Sequence, residues 1–331
     1  MAVVFGFLPV LLFLFYLFLL DSFKLVRPHL LIWCLVYGIF AAGMSYVGNT
    51  FIANTAGVRF ETLARYVAPL VEEVFKALLI IFLMIRRQIG FMVDAAIYGF
   101  AVGTGFALAE NTWYYLHLGP DFNVLLAIVR GFGTALMHSG TISIFGIMLI
   151  EGVQSGKSFR RSSITGLLVA IILHSLFNHF FLHPMMQTML IILILPLVFY
   201  IVFLKSNKHL QQWLEVGFSN EVDMLRMIRQ GQFRNTRAGQ YLASLKEYYE
   251  PKVLLDIYCF FSLYLELSIK AKRNLMLREN GFPVIPEPDI KDKLKELYQL
   301  KKQIGQAGEL ALLPLVRMRH RDLWELNQLE H

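Results

Sequence analysis

Long apolar runs alternate with short polar connections through the N-terminal part of the chain. Each run is close to the ~20 residues that an α-helix needs to cross a bilayer. The seven runs cover residues 2–20, 30–51, 66–85, 91–116, 124–150, 163–182 and 185–204. This pattern predicts an all-α fold, a polytopic membrane bundle of about seven transmembrane helices.

Basic residues are distributed unevenly among the connections between these runs. Lys and Arg follow the first, third, fifth and seventh runs, whereas the connections after the fourth and sixth have neither. Arg59 and Arg65, beside Glu61, are the exception. Because cytoplasmic loops carry an excess of Lys and Arg, this distribution predicts an N-terminus outside and a cytoplasmic tail. The first run lacks a basic leader and a small-residue cleavage site, so we expect it to be retained.

The composition also predicts an integral membrane protein. Of the 331 residues, 56% are hydrophobic and 17% are charged, whereas globular proteins carry about 25% charged residues. The net charge of +7 needs only the positive-inside bias, so we expect no nucleic-acid partner. Cys34 and Cys259 form neither a disulfide framework nor a zinc-binding spacing.

The chain becomes much more polar after residue 204, which predicts two domains, 1–204 in the membrane and 205–331 as a cytoplasmic helical tail. The tail carries 20 of the 31 Lys and Arg residues and 16 of the 24 Asp and Glu residues. Apolar residues recur near the helical period in 211–229, 252–273 and 290–304. Asp256 and Glu266 interrupt the apolar stretch 253–269, so we expect a packed tail helix there. Without a metal, nucleotide or nucleophile motif, the tail is predicted to support or regulate the membrane domain, with a cytoplasmic regulator as a candidate partner.

Three charged residues interrupt the third apolar run. Glu72, Glu73 and Lys76 lie within five positions, and each costs roughly 2.5–3.5 kcal/mol at the middle of a membrane helix. Lys76 follows Glu72 by four residues and Glu73 by three, so all three share one helical face. Such charges favour a functional site.

Other polar residues in the fourth, fifth and sixth runs are predicted to meet them. The predicted boundaries put Glu72 about 9 Å below the outer end of its helix and the other groups at a similar depth. The set comprises Glu110 and Asn111 with Phe106 one turn earlier, Arg130 and His138, and His174 with Asn178. Their common depth predicts one cluster in the outer half of the bilayer.

Each of these groups taken alone also has an ordinary structural explanation. A Glu–Lys pair can be a packing ion pair, and a single buried His is often a satisfied core residue. Asp94 is interpreted as a solvated boundary charge, and Asn49 and Asn54 as interfacial polar groups. The joint occurrence of the cluster residues at one depth favours a functional site over these explanations.

The spacing of the cluster residues resembles that of the PrsW family of intramembrane proteases over residues 66–182. The motifs are Glu72-Glu73-x-x-Lys76, Phe106-x-x-x-Glu110-Asn111-x-x-Tyr114, Arg130 with His138, and His174-x-x-x-Asn178. A more distant similarity is to the CAAX prenyl endopeptidases and bacteriocin-processing membrane proteases. In those proteins an Arg stands at the position of Lys76 and a His at the position of Glu110.

The resemblance implies regulated cleavage of a membrane-anchored protein near the extracytoplasmic bilayer surface, in the plasma membrane. PrsW-like proteases of bacteria cut anti-sigma factors on that side. Two other classes of function fit the same charges: a proton-coupled transporter or channel, and a catalytically inactive scaffold. The chain contains no convincing internal repeat of the kind that many transporters have.

Two forms of peptide hydrolysis are open. In the first, Glu72 is the general base, Glu73 shares Lys76, and Glu110 either orients the water or acts as a protonated acid. His174 and Asn178 then serve the oxyanion and the leaving group, while Phe106, Asn111 and Arg130 support the site. In the second, Glu110, His138 and His174, together with Glu72, hold a metal ion such as Zn²⁺. The chain has no H-E-x-x-H motif, so ligands would come from separate helices.

Overall fold

A computed structural model describes residues 1–285, 287–316 and 320–329, and these residues form helices and no strands. The chain divides into two compact units, Met1–Asn207 and Lys208–His331. The seven long helices that begin in the first unit are α1 Ala2–Leu19, α2 Pro28–Ala56, α3 Ala68–Ile85, α4 Met92–Leu118, α5 Ala135–Gln154, α6 Phe159–Asn178 and α7 Pro184–Arg229. The predicted all-α membrane bundle is confirmed.

Six helices in the described part of the chain are long and apolar enough to cross a membrane. The remaining predicted span is α3, which has 18 residues. It is apolar except for Glu72, Glu73 and Lys76, so its charges are what distinguish it from the other six.

Helix α4 lies at the centre of the first unit, between α2 and α5. Glycines allow its neighbours to approach at backbone contact. A Cβ atom at Gly103 would lie 2.3 Å from Ser139 Cα of α5, and one at Gly105 would lie 2.0 Å from Leu35 O of α2. Small residues commonly allow such close packing of membrane helices. This packing buries the face of α4 that carries the site residues.

Two π-helical segments precede helices of the site. One covers Leu63–Val67 before α3, and the other covers Val129–Thr134 before α5. The predicted run 124–150 is therefore not one regular helix, because the π segment separates α5 from the short helix Val124–Ile128. A π turn often marks a functional site, and here it carries Arg130.

The expectation that Asp94 is a solvated boundary charge is wrong. Asp94 is fully buried, and its carboxylate accepts hydrogen bonds from the backbone N–H groups of Gly90, Phe91 and Ala95 at 2.8–3.0 Å. The first N–H groups of a helix lack intrahelical partners. Asp94 satisfies them at the start of α4, which explains its burial.

The second unit is also helical. Its elements after α7 are α8 Arg237–Ser244, α9 Pro251–Glu279, α10 Ile290–Leu312 and α11 His320–Asn327. The apolar stretch 253–269 lies within α9, where Ile257, Phe260 and Leu267 belong to the core of this unit. It is therefore a packed tail helix, as predicted.

A buried ion cluster joins three helices of the second unit. Lys272 Nζ lies 2.8 Å from both Glu221 Oε1 and Glu325 Oε2, and Ser268 Oγ donates to Glu325 Oε1 at 2.6 Å. Burial raises the pKa of Glu325 to about 7, although the nearby Lys272 opposes this shift. The cluster links α7, α9 and α11 through charges that are satisfied inside the unit.

Candidate active site

Glu73 is the most deeply embedded carboxylate of the cluster and has no exposed surface. Its Oε1 atom lies 2.5 Å from Lys76 Nζ and 2.8 Å from His174 Nδ1, and accepts a hydrogen bond from Thr141 Oγ1 at 3.0 Å. These partners come from α3, α5 and α6. Glu73 therefore fixes the relative positions of three helices and the orientation of the His174 ring.

The two histidines lie side by side with perpendicular rings, and their centroids are 4.7 Å apart. His174 Nδ1 faces Glu73, so its Nε2 is left facing Glu72 Oε2 at 3.8 Å. His138 Nε2 lies 3.0 Å from Glu110 Oε2, and its Nδ1 lies 3.2 Å from Lys76 Nζ. Each imidazole is thus oriented by a carboxylate on a different helix.

Glu110 is held at the edge of the cluster by Arg130. The Arg130 guanidinium forms an ion pair with Glu110, with Nη2 3.1 Å from Oε2, and it stacks on the ring of Tyr114 at 3.7 Å. Arg130 Nε donates to Asn111 Oδ1 at 2.9 Å, and Asn111 Nδ2 donates to Gly6 O of α1 at 2.8 Å. The first helix is therefore tied to the site through Asn111.

The Phe106 ring packs against the charged groups of the cluster. Its centroid lies 4.9 Å from the centroid of the His138 ring and 4.7 Å from Lys76 Nζ. A cation over an aromatic face is stabilised by the quadrupole of the ring, the more so when it is desolvated. Phe106 thus helps to keep the Lys76 ammonium in an apolar layer.

Three of these side chains are arranged as metal ligands. One donor atom from each of Glu72, His138 and His174 lies within 4.8 Å of the other two. Imidazole nitrogens and a carboxylate oxygen are the donors of many catalytic zinc sites. Metal-bound histidines usually turn their second nitrogen toward a carboxylate or carbonyl, as His138 and His174 do here. The donor types therefore fit a divalent metal ion, and such an ion would take the place of Lys76 Nζ, which lies 3.2 Å from His138 Nδ1.

The sequence predicted Glu110 and Glu72 together as acidic ligands beside the two histidines, and the triad contains Glu72 alone of these two. The reason is geometric: Glu110 faces Arg130 and His138 Nε2, whereas Glu72 Oε2 faces the free nitrogen of His174. The Glu72 side chain is 15% exposed and that of Glu110 is 28% exposed, while Glu73 is fully enclosed. Glu72 and Glu110 are thus the carboxylates of the cluster that keep some exposed surface.

Comparison with known protein families identifies the chain. The family model described as PrsW family intramembrane metalloprotease matches residues 27–204, more than half of the chain. The chain belongs to the PrsW family. It is accordingly an integral membrane protease, a hydrolase, and this membership favours proteolysis over the transporter, channel and scaffold alternatives. Comparisons with curated proteins and with solved structures gave no match.

The part of the chain that matches the PrsW family includes every residue of the cluster and ends before the tail unit. The more distant similarity to the CAAX prenyl endopeptidases stays a prediction. The word metalloprotease in the family description agrees with the triad of Glu72, His138 and His174.

Asn178 does not join the other predicted site residues of this PrsW-family protein. Its Nδ2 atom donates to Ala64 O at 2.9 Å, and Ala64 belongs to the π-helical segment before α3. A π turn leaves carbonyl groups without their usual partners. Asn178 therefore ties the end of α6 to the segment before α3, and its amide N–H is used in that contact.

Two side chains of the site were not identified from the sequence as members of it. Asn49, interpreted as an interfacial residue, donates from Nδ2 to Glu72 Oε1 at 3.3 Å. Thr141, in an apolar stretch of α5, donates to Glu73. The position of Thr141, three residues after His138, is one signal that could have found it, because residues i and i+3 share a helical face.

Replacement of Lys76 by Met should destabilise the membrane unit by about 3–5 kcal/mol, because it leaves the Glu73 carboxylate buried without its cation. The matched control is Lys205→Met. Lys205 pairs with Glu151, and both side chains are nearly half exposed, so its loss should cost about 0–1 kcal/mol. Unfolding of the purified protein in detergent measures both values. Equal stability of the two variants would contradict the claim that Lys76 stabilises the protein by neutralising the buried Glu73 carboxylate.

Proposed function

We propose that this protein is a metal-dependent endopeptidase that cleaves a membrane-anchored protein near the extracytoplasmic bilayer surface. The observation that carries the proposal is the convergence of Glu72, His138 and His174 within 4.8 Å. Both histidines are fully buried and each is oriented by its own carboxylate. A purely structural ion pair would need neither the second histidine nor the partly exposed Glu72.

Glu72, His138 and His174 would hold the metal ion, with Zn²⁺ as the candidate. A bound metal of this kind lowers the pKa of water and polarises a carbonyl group. Glu73 keeps His174 in one tautomer by accepting its Nδ1–H, and Glu110 does the same for the Nε2–H of His138. Such supporting carboxylates commonly change metal affinity or activity by about 10–100-fold.

Glu110 is the carboxylate best suited to move a proton in this arrangement. Glu73 is enclosed and its Oε1 already faces three donors, and Glu72 belongs to the metal triad. Glu110 is partly exposed and is fixed by Arg130. It would take a proton from the attacking water and return it to the leaving amine. This differs from the interpretation of the sequence, in which Glu72 was the general base.

The alternation of Lys and Arg between connections supports an N-terminus outside and a site near the outer surface of the plasma membrane. The proposed substrate is a protein with a membrane anchor, of which anti-sigma factors are the example that the family resemblance suggests. The tail unit carries no catalytic motif, and we propose that it binds a cytoplasmic regulator.

A comparison of membrane proteins from cells with the wild-type chain and cells with Glu72→Ala tests this function. We expect a small set of single-span proteins to appear shortened only in the wild type, because Glu72 is needed for hydrolysis. Equal amounts of both chains in the membrane are the control. Identical fragments in the two samples would contradict the proposed activity.

A further inference from the structure

Helices α5, α6 and α7 enclose an apolar groove of about 320 Å³. Its walls include Thr141 from α5, Leu176 from α6 and Ile194 from α7. Leu176 is 49% exposed and Ile194 is 54% exposed, so the groove opens on the outer surface of the bundle. At its inner side Leu195 of α7 packs directly against Gly140 of α5, where a Cβ atom would lie 2.8 Å from Leu195 Cδ1.

The groove lies beside the candidate active site. Thr141 lines it, and the Thr141 hydroxyl donates to Glu73 Oε1 at 3.0 Å. Met137 and Leu173, which also line the groove, are the chain neighbours of His138 and His174. A molecule in the groove would therefore be separated from Glu73, the carboxylate that orients His174, by the Thr141 side chain.

One polar atom in this apolar groove lacks a partner. Gln187 Nε2 donates to Phe177 O at 2.7 Å, but the Gln187 Oε1 atom is buried and accepts no hydrogen bond within the described residues. A buried acceptor without a donor costs about 1–3 kcal/mol. An occupant that offers an N–H group would remove this cost, whereas the acyl chain of a lipid has no donor.

A peptide that is about to be hydrolysed inside a membrane can supply such a donor. A membrane helix satisfies its own N–H and C=O groups, so its scissile carbonyl becomes accessible only where the helix unwinds. Unwinding also frees main-chain N–H groups, which need new acceptors in an apolar surrounding. Gln187 Oε1 offers one acceptor beside the site.

We propose that the groove between α5, α6 and α7 receives the membrane-spanning segment of the substrate, locally unwound, with Gln187 accepting one of its main-chain N–H groups. This inference rests on the proposed endopeptidase function. It makes Gln187 a residue that binds substrate, and it makes the width of the groove a determinant of which membrane segments are cleaved.

Two neighbouring residues of α7 provide a matched test. Ile194 lines the groove, whereas Leu193 is 70% exposed and is not part of its lining. The probe is the single-span protein that the wild type shortens and Glu72→Ala does not. We expect Ile194→Trp to raise its KM about 10-fold by filling the groove, and Leu193→Trp to leave it within about 2-fold of the wild type.

Gln187→Leu gives a second, independent result. Loss of one hydrogen bond to substrate should lower kcat/KM by about 5–10-fold, with the amount of folded protein unchanged.

Wild-type cleavage by both Ile194→Trp and Gln187→Leu would overturn the groove proposal. A co-purifying lipid that is lost only in Ile194→Trp would also overturn it, because the occupant would then be an acyl chain. Equal impairment by Leu193→Trp would also overturn it. A protein that shows no Glu72-dependent cleavage contradicts the proposed function itself.

Discussion

Replacement of Glu72 by Gln should lower kcat/KM for a membrane substrate by about 1000-fold or more. The change keeps the size of the side chain and its hydrogen bond from Asn49, but it removes the charge that faces His174 Nε2 at 3.8 Å. Changing even a residue behind a metal ligand commonly costs about 10–100-fold in metal affinity or activity, so loss of the Glu72 ligand itself should cost more. The measurement is cleavage of a labelled single-span protein by the purified enzyme in liposomes.

Glu61→Gln is the matched control for this prediction. Glu61 is an exposed acid eleven positions before Glu72, and it lies outside the cluster. We expect its variant to cleave at the wild-type rate. If Glu72→Gln retained more than about a tenth of the wild-type rate, the proposed metal-ligand role of Glu72 could not stand.

Replacement of His174 by Ala should remove both the bound metal and the activity. His174 contributes one of three donors to the triad, and its Nδ1 is also a partner of Glu73. Changing even a residue behind a metal ligand commonly costs about 10–100-fold in metal affinity or activity, so loss of the ligand itself should cost more. Elemental analysis of the purified protein measures metal per chain, and the liposome assay measures cleavage.

His179→Ala is the corresponding control. His179 follows α6, and its ring contacts Tyr66 and the carbonyl of Ser175. It is not a member of the cluster, so we expect its variant to keep the metal content and the cleavage rate of the wild type. A His174→Ala protein with wild-type metal content would show that the metal is held elsewhere.

The membrane helices could be predicted from the sequence because apolar length is a strong signal. Each of the seven runs corresponds to one of the helices α1–α7, although α5 begins only at Ala135 and α7 continues to Arg229, far beyond the end of its run. The run 163–182, for example, corresponds to Phe159–Asn178. The π segment Val129–Thr134 could not be predicted, because the extra residue per turn leaves no clear pattern within a long apolar run.

The meeting of Glu72, Glu110, His138 and His174 could be anticipated because charge is costly in a bilayer and few partners were available at the same depth. Which of the two carboxylates faces which partner could be seen only in the three-dimensional structure. Depth does not specify the rotation of each helix about its axis, and rotation decides that Glu72 faces His174 while Glu110 faces Arg130.

The partners of Asn49, Thr141 and Asn178 could not be predicted from the sequence either. Asn and Thr are ordinary residues near membrane interfaces and in helix interiors, so their presence does not reveal whether a side chain meets a carboxylate or a backbone carbonyl. The groove beside Thr141 depends on the spacing of α5, α6 and α7, which hydrophobic periodicity does not encode. Asp94 was misinterpreted because a helix-capping carboxylate and a solvated one look alike in sequence.

The most direct test of the account is cleavage in liposomes by wild-type enzyme that has been stripped of metal with a chelator. The account predicts that the stripped enzyme is inactive and that added Zn²⁺ restores cleavage in the wild type but not in His174→Ala. Undiminished cleavage by a stripped enzyme, with no metal detected by elemental analysis, would contradict the metal site of Glu72, His138 and His174.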